Sequence, residues 1–262
     1  MRKYLVVLKQ SFLGQLEHRT NNVLWLFFGI IPAFVNYLIW TTVYQDRDVI
    51  NGFARDDLLN YYLWVNILWL LVGGTWNLSV GAIIRNGELN LHLLKPIHPM
   101  FRFISFEQGW KVGSLLVVLP VFIIISIVLG LSFPIQSLEQ CIVLIFSVFF
   151  GAIIFAFWDM IIGMTAFFIQ NNMPMNRLNR ILYMILSGQM FPLAFLPAWL
   201  ASINNWIFFR YTFSFSLEVL FTFEDIPYVE MFIKQIIWVV LIYILFKLIY
   251  AIGIKRYEAV GA

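Results

Sequence analysis

Residues 83–99 read "IIRNGELNLHLLKPIHP" and stand between two long apolar runs. The stretch is too short and too polar to cross a bilayer, whose core takes about 20 apolar residues as helix. It marks a turn at the membrane surface, so the runs on either side must be arranged as spans. Gly87 ends or breaks the preceding run, and Glu88 falls in the first turn of a short helix, where a negative charge is favoured. Leu89 and Leu93 lie four apart on one face with Leu94 beside them. Lys95 follows, and Pro96 and Pro99 stop the helix and stiffen the exit. The product is a short, rigid, amphipathic knob. Two readings fit it equally: a plug for a groove on a partner, or a surface helix lying on the membrane.

The rest of the chain agrees with a membrane setting. Of 262 residues, 61% are hydrophobic and 12% charged, with mean hydropathy +0.85. So few charges would not cover that much apolar surface in a soluble domain. Ten tryptophans, within an aromatic content of 18%, suit a chain with many headgroup-level positions. Cys141 stands alone, so no internal disulfide is possible. The start, "MRKYLVVLKQSFLGQLEHR", does not read as a signal peptide, because Lys9 interrupts the apolar run.

Six segments have the length and apolarity to span: 22–44, 58–82, 110–130, 138–169, 178–196 and 231–254. The fourth exceeds a perpendicular crossing and must tilt or project into water. Basic residues set the orientation. Arg2, Lys3, Lys9, Arg19, Arg85, Lys95, Arg102, Lys111, Arg177, Arg180, Lys255 and Arg256 fall on one side, twelve of the seventeen. Asp46, Asp48, Asp56, Asp57, Glu139, Glu218, Glu224, Asp225 and Glu230 fall on the other. The expectation is an all-α fold of six spans with both termini cytoplasmic. It forms one domain over 1–262, comprising an interfacial helix at 1–20 and a bundle at 22–254.

Within residues 3–19, Leu5, Leu8, Phe12 and Leu16 recur at helical spacing, which predicts an amphipathic helix in the inner-leaflet interface. Residues 187–208, "SGQMFPLAFLPAWLASINNWIF", predict a broken, re-entrant outer segment. Pro192 and Pro197 interrupt helical hydrogen bonding there, and Trp199 and Trp206 prefer the headgroup level. Gly29 with Ala33, and Ala152 with Ala156, are small pairs that suit close helix packing.

Bond chemistry finds no support in the motifs. His92 and His98 fall on different helical faces with no carboxylate or cysteine to complete a metal set. There is no phosphate-binding loop and no nucleophile elbow. Asp159, in "FAFWDMIIG", is the one acid inside an apolar run. It is open to three readings: a substrate contact or latch, a hydrogen bond to a neighbouring helix, or a carboxylate left near water by an overlong span.

"GELNLHLLKPIHP" resembles the coupling-helix segment of ABC-2 type permeases, with its Gly–x–Leu and Leu–Leu–x–Pro pattern. "SGQMFPLAFLPAW" resembles the segment that ends the fifth span in the same family, and the order of parts is similar along the whole chain. The resemblance is greatest to bacterial permeases encoded beside a separate ATPase. It implies a half-transporter in which two permease subunits, identical or related, pair with two copies of an ABC ATPase. ATP and Mg would sit on that ATPase and no cofactor on this chain. Gly87, Glu88, Leu89, Leu93, Leu94, Lys95 and Pro96 would couple to it. Phe191, Pro192, Phe195, Pro197 and Trp199 would form an outer gate. The resemblance also implies export, in a bacterial cytoplasmic membrane, with lipid as the other partner and no nucleic acid. The aromatic spans suit an amphipathic or lipid-like cargo. An ion-coupled secondary transporter would show repeated halves or several intramembrane charges. A membrane-embedded enzyme would show polar residues clustered at one depth.

Overall fold

The structure, a computed structural model, describes residues 2–17, 35, 38–45, 49–50, 52–128 and 134–257. Its helices are α1 (Arg2–Glu17), α2 (Arg55–Val72), α3 (Trp76–Arg85), α4 (Leu89–Leu93), α5 (Pro99–Val128) and α6 (Leu138–Met164). They continue with α7 (Met173–Leu186), α8 (Ala198–Asn204), α9 (Phe208–Thr212), α10 (Ser214–Phe221) and α11 (Tyr228–Arg256). A two-residue hairpin, β1 (Val49–Ile50) with β2 (Phe53–Ala54), turns at Gly52. The fold is nearly all-α, as expected.

Among the described residues, four stretches are long and apolar enough to cross a membrane: Arg55–Arg85, Pro99–Ile124, Leu138–Phe167 and Tyr228–Arg256. The first expected span, 22–44, and its Gly29–Ala33 pair lie largely outside the described residues. The fifth, 178–196, departs from expectation. Its helix α7 has 14 residues and stops at Leu186. That is about 21 Å of helix, against an apolar core of about 30 Å.

Helix α6 is the hub. It packs on α2, α3, α9, α10 and α11. Gln140 Nε2 donates to the Val219 and Leu220 carbonyls at 2.8 and 3.2 Å, tying the start of α6 to α10. Gln235 Nε2 donates to the Ser147 and Tyr211 carbonyls, both at 2.8 Å, tying α11 to α6 and α9. With no water in hydrocarbon, such bonds satisfy carbonyls where helices stop or touch.

The contacts define two ends. One joins Lys3 to Pro96, His98 to Tyr250, Phe167 to Tyr257, and Arg85 to Asn172. This end carries Lys95, Arg102, Arg177 and Arg256, and is basic. The other joins Tyr228 to Glu139 and Tyr61 to Gly188, and carries Asp56, Asp57, Glu224 and Asp225.

Helix α1 buries Ser11 and Gln15, while Leu5, Val6, Leu13 and Leu16 are exposed. It runs alongside α5, where a Cβ at Gly109 would meet the Leu8 carbonyl oxygen at 2.2 Å, and Gln15 Nε2 donates to Ser114 Oγ at 3.0 Å. A polar seam between two helices, with the apolar face turned outward, is the arrangement a lipid surround favours. Lys111, counted among the basic residues of one side, lies well inside a helix. Helix α5 begins twelve residues before it, and Lys111 is buried at 3% exposure.

Candidate functional site

The stretch at 83–99 is built from its local signals. Gly87 has φ 73°, a left-handed conformation that suits glycine. The Glu88 N–H donates to the Ile83 carbonyl at 3.0 Å and the Gly87 N–H to that of Ile84 at 3.3 Å. This is the Schellman pattern, which satisfies the last carbonyls of α3 and turns the chain sharply into α4. Leu89 is fully buried, whereas Leu91, Leu93 and Leu94 are exposed at 62%, 42% and 84%. Leu89 is thus the anchor, and the outward apolar surface belongs to Leu91, Leu93 and Leu94. Leu91 therefore takes the outward place that the four-residue spacing gave to Leu89. In a helix of five residues the position nearest the core is set by the turn before it.

The base of the knob is tied down on two sides. Lys3 Nζ donates to the Pro96 carbonyl at 3.1 Å, and the His98 N–H donates to Tyr4 Oη at 3.2 Å. Arg102 Nη1 lies 3.1 Å from His92 Nδ1. The guanidinium is always a donor, so His92 accepts there as a neutral imidazole. Burial, then the charges of Arg102 and Lys95, push the His92 pKa below 6.5. Burial, then Lys247, push His98 the same way. Glu88, Lys95 and Pro96 are exposed beside the leucines.

The segment after α7 is non-helical and hangs from α2. Gly188 has φ 82°. Tyr61 Oη donates to the Gly188 carbonyl at 2.5 Å, and Tyr62 Oη to that of Met190 at 2.9 Å. Trp40 Nε1 donates to Tyr62 Oη at 2.9 Å. Pro192 is buried and leads into a single 3-10 turn, Leu193–Phe195. The Phe195 ring packs against Trp40 and Phe53, at centroid distances of 5.4 and 5.8 Å. Phe191 is half-buried, and Pro197 and Trp199 are exposed at the start of α8. Phe191 and Phe195 are four apart but do not share a helical face, since the helix ends before both.

Asp159 is 3% exposed and meets a feature the sequence reading missed. The second apolar run, expected as one span over 58–82, is broken at residues 73–75 into α2 and α3. Asp159 Oδ2 accepts from the Asn77 N–H at 2.8 Å, in the first turn of α3. Its carboxylate therefore makes a hydrogen bond to a neighbouring helix, the second of the three readings. Lys111 Nζ donates to the Leu71 and Val72 carbonyls, the last two of α2, at 3.1 and 3.3 Å, and lies 4.8 Å from the centroid of the Trp76 ring. The pair Gly73–Gly74 and a lysine following Trp110 in an apolar stretch were the available signals.

A model of the family described as ABC-2 family transporter protein matches residues 30–261. No curated protein and no solved structure matches the chain.

Proposed function

The chain belongs to the ABC-2 family of transporter proteins, and from that premise we propose that it is the permease subunit of an ATP-driven exporter. The cargo is amphipathic or lipid-like and leaves the cytoplasm or inner leaflet. Permeases of this family are membrane components that pair with an ABC ATPase. The observation that carries the reading is the α4 knob. Three leucines are exposed on a helix whose fourth, Leu89, is buried, and the turn is closed by hydrogen bonds on both sides. Exposed apolar side chains on a rigid mount suit insertion into a groove.

In this reading the basic end faces the cytoplasm, in keeping with the distribution of lysine and arginine. Six crossings of a bacterial cytoplasmic membrane, the fifth made by the short α7 together with the non-helical segment after it, put both termini inside. Two ATPase copies, holding ATP and Mg, dock on the knobs of two permeases, identical or related. Closure of the ATPase pair moves α4 and the spans behind it. The segment from Phe191 to Trp199 lies at the opposite end and serves as the outer gate, with Phe195 in its aromatic seat.

The test is reconstitution of the purified complex in vesicles with a fluorescent phospholipid analogue as probe. Movement of the probe on ATP addition, with none on an ion gradient alone, is expected. Movement driven by the ion gradient without ATP, or purification with no ATPase attached, would overturn the proposal.

A further inference from the structure

We propose that the break at residues 73–75 is a hinge, and that Lys111 and Asp159 are positioning residues that hold its two halves in register while motion from α4 travels along α3. The inference rests on the docking role of α4 given above.

The break leaves the last carbonyls of α2 and the first N–H groups of α3 without helical partners, and buried groups of that kind are costly to leave unsatisfied. Each side is met by charge of the correct sign. The Lys111 ammonium sits on the Leu71 and Val72 carbonyls, the negative end of α2. The Asp159 carboxylate sits on the Asn77 N–H, at the positive end of α3. The charges come from different helices, α5 and α6, so a change of angle between α2 and α3 must alter at least one of these contacts. The chain at the break is extended at Gly73, with φ −61° and ψ 172°.

Helix α3 has the form of a lever. It is 10 residues long, about 15 Å, and passes through the Gly87 turn directly into α4. Its far end is bonded by Arg85 to Asn172, in the connection between α6 and α7. Its near end lies on Gly163, where a Cβ would meet the Asn77 carbonyl oxygen at 2.9 Å.

The close ion pairs among the described residues are Arg210–Glu218 and Lys234–Glu230, both at 2.6 Å. Lys111 and Asp159 form no close pair of this kind; each is hydrogen-bonded to a helix end. Glu107, one turn before Lys111 on α5, stands at the same break, where its carboxylate accepts from the Thr75 N–H and its charge acts on the Lys111 ammonium. The ammonium thus has the α2 carbonyls on one side and a carboxylate on the other. A group with two available partners is the kind of element that has two discrete arrangements.

The experiment uses the full complex with its co-purifying ATPase in lipid nanodiscs, with Cys141→Ser as background. Spin labels replace the exposed Leu78 on α3 and the exposed Leu116 on α5. Their separation is measured without nucleotide and with ATP plus vanadate. The hinge requires two distinct separations in the two states. Asp159→Asn keeps an acceptor for the Asn77 N–H but removes the charge. It is expected to populate both separations without nucleotide, whereas a purely structural contact would leave the resting separation unchanged. The exchange Lys111→Asp with Asp159→Lys adds a second discriminator. If the two residues acted only as a pair, the exchange would restore wild-type behaviour. Here it must not, because each charge would then face the helix end of its own sign. A single unchanged separation in a wild-type complex that hydrolyses ATP would overturn the hinge, and that result stands even if a variant fails to fold. Failure of the α4 reading is separate: it appears as loss of ATPase binding to the wild-type chain, or as binding indifferent to Leu93 and Leu94.

Discussion

Replacing Leu93 and Leu94 by aspartate separates docking from folding. The two side chains are 42% and 84% exposed, so little of the fold depends on them. Surface changes of this type usually shift stability by less than about 0.5 kcal/mol. On docking the same area would be covered. Burying a leucine fully is worth about 1.5–3 kcal/mol, and scaling by the two exposures gives about 3 kcal/mol for the pair. That corresponds to about a hundredfold in Kd. Two desolvated carboxylates would add to the loss. The assay is binding of the ATPase to the permease in nanodiscs, with thermal unfolding of the permease alone as control. Leu89→Ala is the counter-test: this fully buried side chain should cost about 2–5 kcal/mol of stability. Unchanged ATPase binding and normal coupling in the double aspartate variant would refute the docking argument. Collapse of the fold in that variant would refute the assignment of Leu89 as the anchor.

Other outcomes follow from the same geometry. Asp159→Leu leaves the Asn77 N–H buried without its acceptor and should lower stability by about 1–3 kcal/mol in thermal unfolding, with Asp159→Asn costing less. His92 and His98 have native pKa values below the ordinary 6.5, so the unfolded chain binds more protons just below that value. Stability should therefore be fully present above about pH 6.5 and fall as pH drops toward the lowered native values, and His92→Gln should flatten the slope. With Cys141→Ser as background, a single cysteine at Asp56 should label from outside intact cells and one at Arg2 only after permeabilisation; the reverse pattern would invert the topology. Phe195→Ala removes two aromatic contacts, worth about 1–3 kcal/mol together, and should leave vesicles leaky to the cargo. Trp199→Ala, at an exposed site, should leave stability unchanged; a leak-free Phe195→Ala variant would remove that residue from the gate.

Much of this was written locally along the chain. The apolar composition placed the protein in a membrane, and the runs at 138–169 and 231–254 became α6 and α11 with ends shifted by a few residues. Gly87 and Pro96 bounded the knob because a left-handed turn and a missing N–H act where they stand. Pro192 and Pro197 marked non-helical backbone for the same reason. Which face of a helix is buried was not legible in this way. In lipid the outward face is as apolar as the inward one: the leucine spacing of α1 marks an apolar face, and only the folded chain shows that Ser11 and Gln15 form the seam with its neighbour. Leu89 likewise went to the core and left Leu91 outside. The break at residues 73–75 also needed the folded chain. Gly73 and Gly74 permit it, but the charges that hold its ends are 40 residues away from Leu71, at Lys111, and 82 residues away from Asn77, at Asp159. An uninterrupted apolar run reads as one helix until a lysine and an aspartate from other spans arrive to satisfy the backbone groups that a break exposes.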